Sequence, residues 1–223
     1  MITEIAFILD RSGSMQSMRA AAISSFNDFL QEQQADPGIN RLTLVLFDDW
    51  IETHFSSIPV SEVIALTDET FVPRGSTALL DAIGETVDIL GQRLAAMPEA
   101  DRPNHVVVAI MTDGEENASE RFKWSDISAR IHHQTEKYGW EFLFLGAGAD
   151  AIATAGKLNI QAANSAQYTA DSDGHRAASS SLSRKIASSR RLKSGDATLE
   201  EQQEAIRPMS DILQEEDQKR RGK

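Results

Sequence analysis

Short, almost unbroken apolar runs at residues 4–9, 42–47, 106–111 and 142–146 constrain this chain more than any other feature. Strands with helices on both faces read this way, because neither face needs a polar side chain. Helical stripes lie between the runs. Met18, Ala22, Phe26, Phe29, Leu30 and Gln33 trace one, and Leu79, Leu80, Ile83, Val87, Leu90, Leu94 and Met97 a longer one. A third helix is expected from Ser125 as N-cap, burying Ile127 and Ile131. Such alternation specifies an α/β fold: three layers, with a doubly wound, mostly parallel central sheet and helices on both faces. Asp48-Asp49-Trp50 separates 42–47 from a further strand-like run at 51–55. It reads as a hairpin turn and makes 51–55 one antiparallel edge strand.

Beyond Gly146 the pattern weakens. A short helix is expected over 150–158, an edge strand over 166–170, and a Ser- and Ala-rich helix over 175–191. Arg184, Lys185, Arg190, Arg191 and Lys193 form a basic stretch, read as a solvated helix face. Composition breaks at Lys193-Ser194-Gly195-Asp196. The division that follows is a domain over 1–191 and a polar, amphipathic helical appendage over 192–223, its helix kinked by Pro208. The appendage is either a packed terminus or a docking helix for a partner.

Composition removes several function classes. With 22 basic and 34 acidic residues the formal charge is −12, which disfavours general nucleic-acid or anionic-membrane binding. The absence of cysteine excludes disulfides and Cys-based zinc sites. No apolar stretch reaches the roughly 20 residues of a membrane span. The run before Asp10 is short for a signal peptide, so the expected location is cytoplasmic. The five histidines suggest no zinc site: His132 and His133 are adjacent on a helix and diverge, and solvated or half-buried histidines are expected.

The chemistry is carried by three places at strand ends or helix starts. The run at 4–9 leads into Asp10-Arg11-Ser12-Gly13-Ser14; Thr77 stands just before the second helical stripe; Asp113-Gly114 follows the run at 106–111. Ligands of open α/β sheets bind beyond the carboxyl ends of the strands, where strand order reverses. If the first and fourth runs are the central pair, Asp10 and Asp113 share that crevice. Carboxylates and hydroxyls are hard oxygen donors suited to Mg²⁺ or Mn²⁺, and hydroxyls leave the ion short of negative charge, open to an outside anion. Each piece also has an ordinary alternative: Asp10 and Ser12 as helix caps, Thr77 as an N-cap, Asp113-Gly114 as a turn.

Together, Asp10-x-Ser12-x-Ser14, the Thr77 loop and the Asp113 loop resemble the metal-ion-dependent adhesion site of the von Willebrand factor A-domain family. Phe7–Met15, Arg74–Ile83, Ile110–Asn117 and Trp140–Ala147 are similar to compact stand-alone bacterial and bacteriophage members, and the similarity spans about residues 1–190. The resemblance implies a Rossmann-like fold and a Mg²⁺ or Mn²⁺ ion with Asp10, Ser12, Ser14, Thr77 and Asp113 as its site. Ser12, Ser14 and Thr77 would supply hydroxyls, directly or through water, and Asp10 and Asp113 would hold metal-bound waters and hydroxyls. One open position would take an Asp or Glu of a partner protein. Glu115, Glu116 and Asn117 form an acidic loop, solvated or rimming the metal. Asp48 and Asp49 lie at the same end, and Arg11 and Arg74 flank the motif, placed to offset the negative rim or to meet a partner carboxylate.

The alternatives fare worse. A haloacid dehalogenase-type phosphatase needs a carboxylate two residues after its nucleophilic Asp, and Ser12 occupies that position. Gly146-Ala147-Gly148-Ala149-Asp150 is only a partial dinucleotide loop. The reading is therefore a binding module and not an enzyme. An accessory subunit coupled to an AAA+ ATPase, as in chelatase-like systems, is the alternative.

Overall fold

The structure, a computed structural model, describes residues 1–36 and 38–222. Six strands form one sheet: β1 (Ile2–Asp10), β2 (Ile39–Phe47), β3 (Ile51–Pro59), β4 (His105–Thr112), β5 (Glu141–Gly146) and β6 (Ser165–Gln167), in the order β3-β2-β1-β4-β5-β6. β3 is antiparallel to β2 and every other pairing is parallel. The fold class expected from the alternation is the one observed. β1 and β4 are the central pair, so the strand order reverses between them.

Successive strand residues face opposite sides of a sheet, and β1 divides its apolar run accordingly. Ile5, Phe7 and Leu9 enter one core with α1 (Arg19–Ala35) and α5 (Ser172–Ser194); Ala6 and Ile8 enter the other with α2 (Leu79–Ala96), α3 (Trp124–Tyr138) and α4 (Ala151–Lys157). Phe7 stands edge-on to Phe26 and Phe29, with ring centroids 5.6 and 4.9 Å away. Gln33, the polar member of the first stripe, is buried and meets Ser183 at 3.2 Å and Arg190 at 2.8 Å.

Several local expectations need correction. α3 starts at Trp124, one residue before the expected cap; the Asp126 carboxylate accepts from the Lys123 N–H at 2.9 Å, closing the helix start from inside the first turn. The final strand is shorter than 166–170, because the chain turns away at Tyr168 after its N–H bonds Gly146 O. Residues 199–217 form two helices, α6 (Leu199–Ile206) and α7 (Met209–Arg221), since Pro208 cannot continue the first.

The basic stretch of α5 is solvated only in part: Arg191 and Lys193 are exposed, whereas Lys185 and Arg190 are buried. The Lys185 ammonium donates to Ala205 O at 2.8 Å and Arg207 O at 2.7 Å, occupying carbonyls left open at the end of α6. Arg184 pairs with Glu204, Glu215 and Glu216. Met209 and Leu213 of α7 join the core beneath α5. Two histidines, His105 and His175, are fully buried and not solvated.

Candidate metal centre

β1 and β4 end side by side, with Leu9 opposite Met111, so the residues that follow each strand emerge into one crevice. The Asp10 carboxylate is fully buried and accepts from the Ser12 N–H at 2.7 Å and the Thr112 hydroxyl at 2.5 Å. Ser12 Oγ and Ser14 Oγ stand 3.0 Å apart, and Ser14 Oγ donates to Asp113 Oδ1 at 2.7 Å. A Cβ at Gly114 would lie 2.7 Å from Thr77 Oγ1 and 3.4 Å from Asp10 Oδ2. The bare glycine thus keeps the space between the Thr77 hydroxyl and Asp10 free of a side chain. All five oxygen-bearing residues expected from the sequence converge here.

The capping alternatives do not account for them. Ser12 precedes a 3₁₀ turn (Gly13–Met18) without capping it through its side chain, and the N-cap of α2 is Ala78, not Thr77. Backbone contacts join the three loops: the Gly13 N–H donates to Gly75 O, and the Asn117 and Ala118 N–H groups donate to Thr77 O. Gly75 adopts φ +63°, a left-handed turn that a side chain would strain, here against Asp49.

Arg11 and Arg74 do not offset the carboxylates of the crevice. Both turn to the buried Asp48 Oδ2, at 3.2 and 3.0 Å, and Arg11 also reaches Glu52 at 2.9 Å. Asp48 is more than a turn residue: its other oxygen accepts from the Trp50 N–H at 2.7 Å, and its carbonyl from the Ala78 N–H at 2.8 Å. Asp10 and Asp113 are left with hydroxyl and amide partners and no cation among the described residues. Burial raises the Asp10 carboxyl above its usual range. Burial, opposed by the Ser14 hydrogen bond and reinforced by the charge of Asp10, pushes Asp113 up to about 6. Two crowded carboxylates and three hydroxyls form a hard-oxygen cradle short of positive charge, and that donor set fits a small divalent cation.

Glu116 and Asn117 have structural duties. Glu116 Oε2 accepts from the Leu80 N–H at 2.9 Å, and Asn117 Oδ1 from the Thr77 N–H at 2.9 Å. Glu115 remains exposed. Sequence reasoning did not single out Thr112 or Tyr168. Thr112 holds Asp10, and the buried Tyr168 hydroxyl donates to Thr112 O at 3.2 Å from below. A polar last residue on an otherwise apolar strand was the available signal for Thr112; Tyr168 had none.

Neither a protein-family model nor a curated protein matches the sequence. Solved structures do. A von Willebrand factor type A protein from Catenulispora acidiphila superposes at TM-score 0.54 and 12% identity over 82% of this chain and 42% of its own. A D319A mutant of the PilB minor pilin of Streptococcus sanguinis gives 0.58 and 12% over 89% and 64%. Proximal thread matrix protein 1 of the mussel byssus, with a zinc-occupied MIDAS motif, gives 0.54 and 18% over 81% and 44%. The chain therefore spans 42% to 64% of the length of these proteins.

Proposed function

The chain has the von Willebrand factor A fold, and from that premise we propose that it is a metal-dependent protein-binding module. A Mg²⁺ or Mn²⁺ ion would be held by the Ser12, Ser14 and Thr77 hydroxyls, with Asp10 and Asp113 supplying the negative charge, directly or through bound water. The observation that carries this reading is the charge imbalance of the crevice. Asp10 and Asp113 are crowded together, while the guanidiniums of the flanking Arg11 and Arg74 are committed to Asp48.

The bound ion would supply a directional Lewis-acid contact for a carboxylate from a partner. The chain's own residues do the positioning. Thr112 and the Ser12 N–H fix the Asp10 carboxylate, Ser14 fixes Asp113, and Gly114 keeps the approach to Thr77 clear. Ser12, where a phosphatase would need a second carboxylate, has no acid–base capacity near neutrality, which favours binding over hydrolysis.

The test is a pull-down from source-cell lysate with tagged protein in Mg²⁺, in EDTA, and with Asp10→Ala in Mg²⁺. A protein retained by wild type in Mg²⁺ alone is the expected result. Equal retention in all three lanes would refute a metal-bridged contact.

A further inference from the structure

The metal-facing hydroxyl of Thr77 sits on a short loop with no side-chain cap of its own, and the helix after it is secured from elsewhere. The first turn of α2 presents N–H groups that its N-cap, Ala78, cannot satisfy with a side chain. The segment after Asp113 satisfies them. Glu116 Oε2 accepts from the Leu80 N–H at 2.9 Å, and Ser119 Oγ accepts from the Asp81 N–H at 3.1 Å. Glu116 Oε1 folds its own segment by accepting from the Ala118 and Ser119 N–H groups at 3.1 and 2.8 Å. Asp81 replies from α2, its carboxylate accepting from the N–H groups of Glu120, Arg121 and Phe122.

At the centre is Asn117. Its Oδ1 accepts from the Thr77 N–H at 2.9 Å while its own N–H donates to Thr77 O at 3.0 Å, so both backbone groups of Thr77 are held by one residue. On the opposite flank the Ala78 N–H donates to Asp48 O. The hydroxyl of Thr77 is the remaining polar group of that residue, and it faces Asp10 across Gly114.

From this we infer that Asn117, supported by Glu116, is a positioning residue that sets the size selectivity of the metal site by locking Thr77. The inference rests on the metal-binding reading above. Mg²⁺ requires near-octahedral oxygens at about 2.0–2.1 Å, whereas Ca²⁺ accepts about 2.3–2.6 Å and irregular geometry. A ligand loop held at both backbone groups favours the smaller, more demanding ion. A loosened one lets Thr77 drift outward, which weakens Mg²⁺ binding more than Ca²⁺ binding.

The experiment is calorimetric titration of the full chain with MgCl₂ and, separately, CaCl₂, for wild type, Asn117→Ala and Asn117→Asp. Asn117 is exposed, so Asn117→Ala removes the Oδ1 acceptor without opening the core. Its Mg²⁺ affinity is expected to fall about tenfold with Ca²⁺ affinity changed much less, so the Mg²⁺/Ca²⁺ ratio collapses. Asn117→Asp restores the acceptor; its extra charge acts on both ions, so the ratio recovers whatever the absolute affinities. Asn117→Leu, which is close to Asn in shape but carries no acceptor, is run alongside in case Asn117→Ala does not fold, and should match it. A ratio unchanged in Asn117→Ala or Asn117→Leu while wild type binds Mg²⁺ overturns the inference and leaves the metal reading standing. No heat with either ion for wild type overturns both.

Discussion

The two ends of the central β1–β4 pair both bury ionisable groups, and they treat them in opposite ways. At the lower end Glu4 lies fully buried against Arg93 at 2.9 Å and the Ser57 hydroxyl at 2.8 Å. Glu141 meets His105 at 3.0 Å and Ser189 at 2.5 Å, and Arg190 meets Asp36 at 2.7 Å. Burial raises the Glu141 carboxyl, but its hydrogen bonds to His105 and Ser189 outweigh burial and hold it below the usual range. At the upper end burial also raises Asp10 and Asp113, and there it prevails, because their partners are hydroxyls and amides. Buried charge that is paired belongs to the architecture. Charge left without a cation at a strand-order reversal is the feature on which the proposed metal site rests.

The contrast can be tested by breaking each end. Glu4→Ala, which strips the partner from Arg93, should cost about 3 kcal/mol in urea unfolding and leave metal binding intact. A loss of metal binding would show that the ends are not independent.

The upper end holds a further unpaired group. His175 is fully buried, neither ring nitrogen has a hydrogen-bond partner among the described residues, and the ring stands edge-on to Tyr168 at 5.0 Å. Burial drives it down to about 4, opposed by the charge of Asp171, from an ordinary value of 6.5. Its folded value lies below its unfolded one, so the stability it contributes is complete above pH 6.5 and drains away as pH falls to about 4. The expected loss across that window is about 3 kcal/mol. His175→Phe should flatten that part of the stability–pH curve, measured by urea unfolding at a series of pH values. An unchanged slope would assign the acid sensitivity to other groups.

Metal should compensate the carboxylates directly. At a hundredfold excess over its Kd, Mg²⁺ should add about 2.7 kcal/mol of stability, visible as a thermal shift that EDTA reverses. Asp113→Ala should abolish that shift while leaving the metal-free protein folded by circular dichroism. The smallest effect expected is that of Ser14→Ala, which removes one hydroxyl and the bond to Asp113; metal binding should weaken about tenfold, or about 1.4 kcal/mol. A variant indistinguishable from wild type by calorimetry would remove Ser14 from the site.

Much of this was legible in the chain because it depends on local periodicity. Unbroken apolar runs required strands covered on both faces, and period-two alternation sent Phe7 and Ile8 into different cores. Asp10 and Asp113 follow runs that can only end at the sheet's edge, so their shared crevice needed no more than the correct central pair. The Pro208 break was equally local.

What only the tertiary structure decided is which charged group meets which. Arg11 and Arg74 neighbour the crevice residues Asp10, Ser12 and Thr77 in sequence, yet both serve Asp48, brought alongside β1 by β2. Glu116 and Asn117 read as part of an acidic loop, solvated or rimming the metal, and they also clamp α2 and Thr77, 36 and 40 residues away. Arg184 and Lys185 of α5 look solvated until α6 and α7 fold back over them. The physical reason is the same in each case. Strand and helix patterns are written in backbone geometry over a few residues, whereas a buried side chain's partner is set by strand order and loop closure over tens of residues, where many pairings share one local sequence signature.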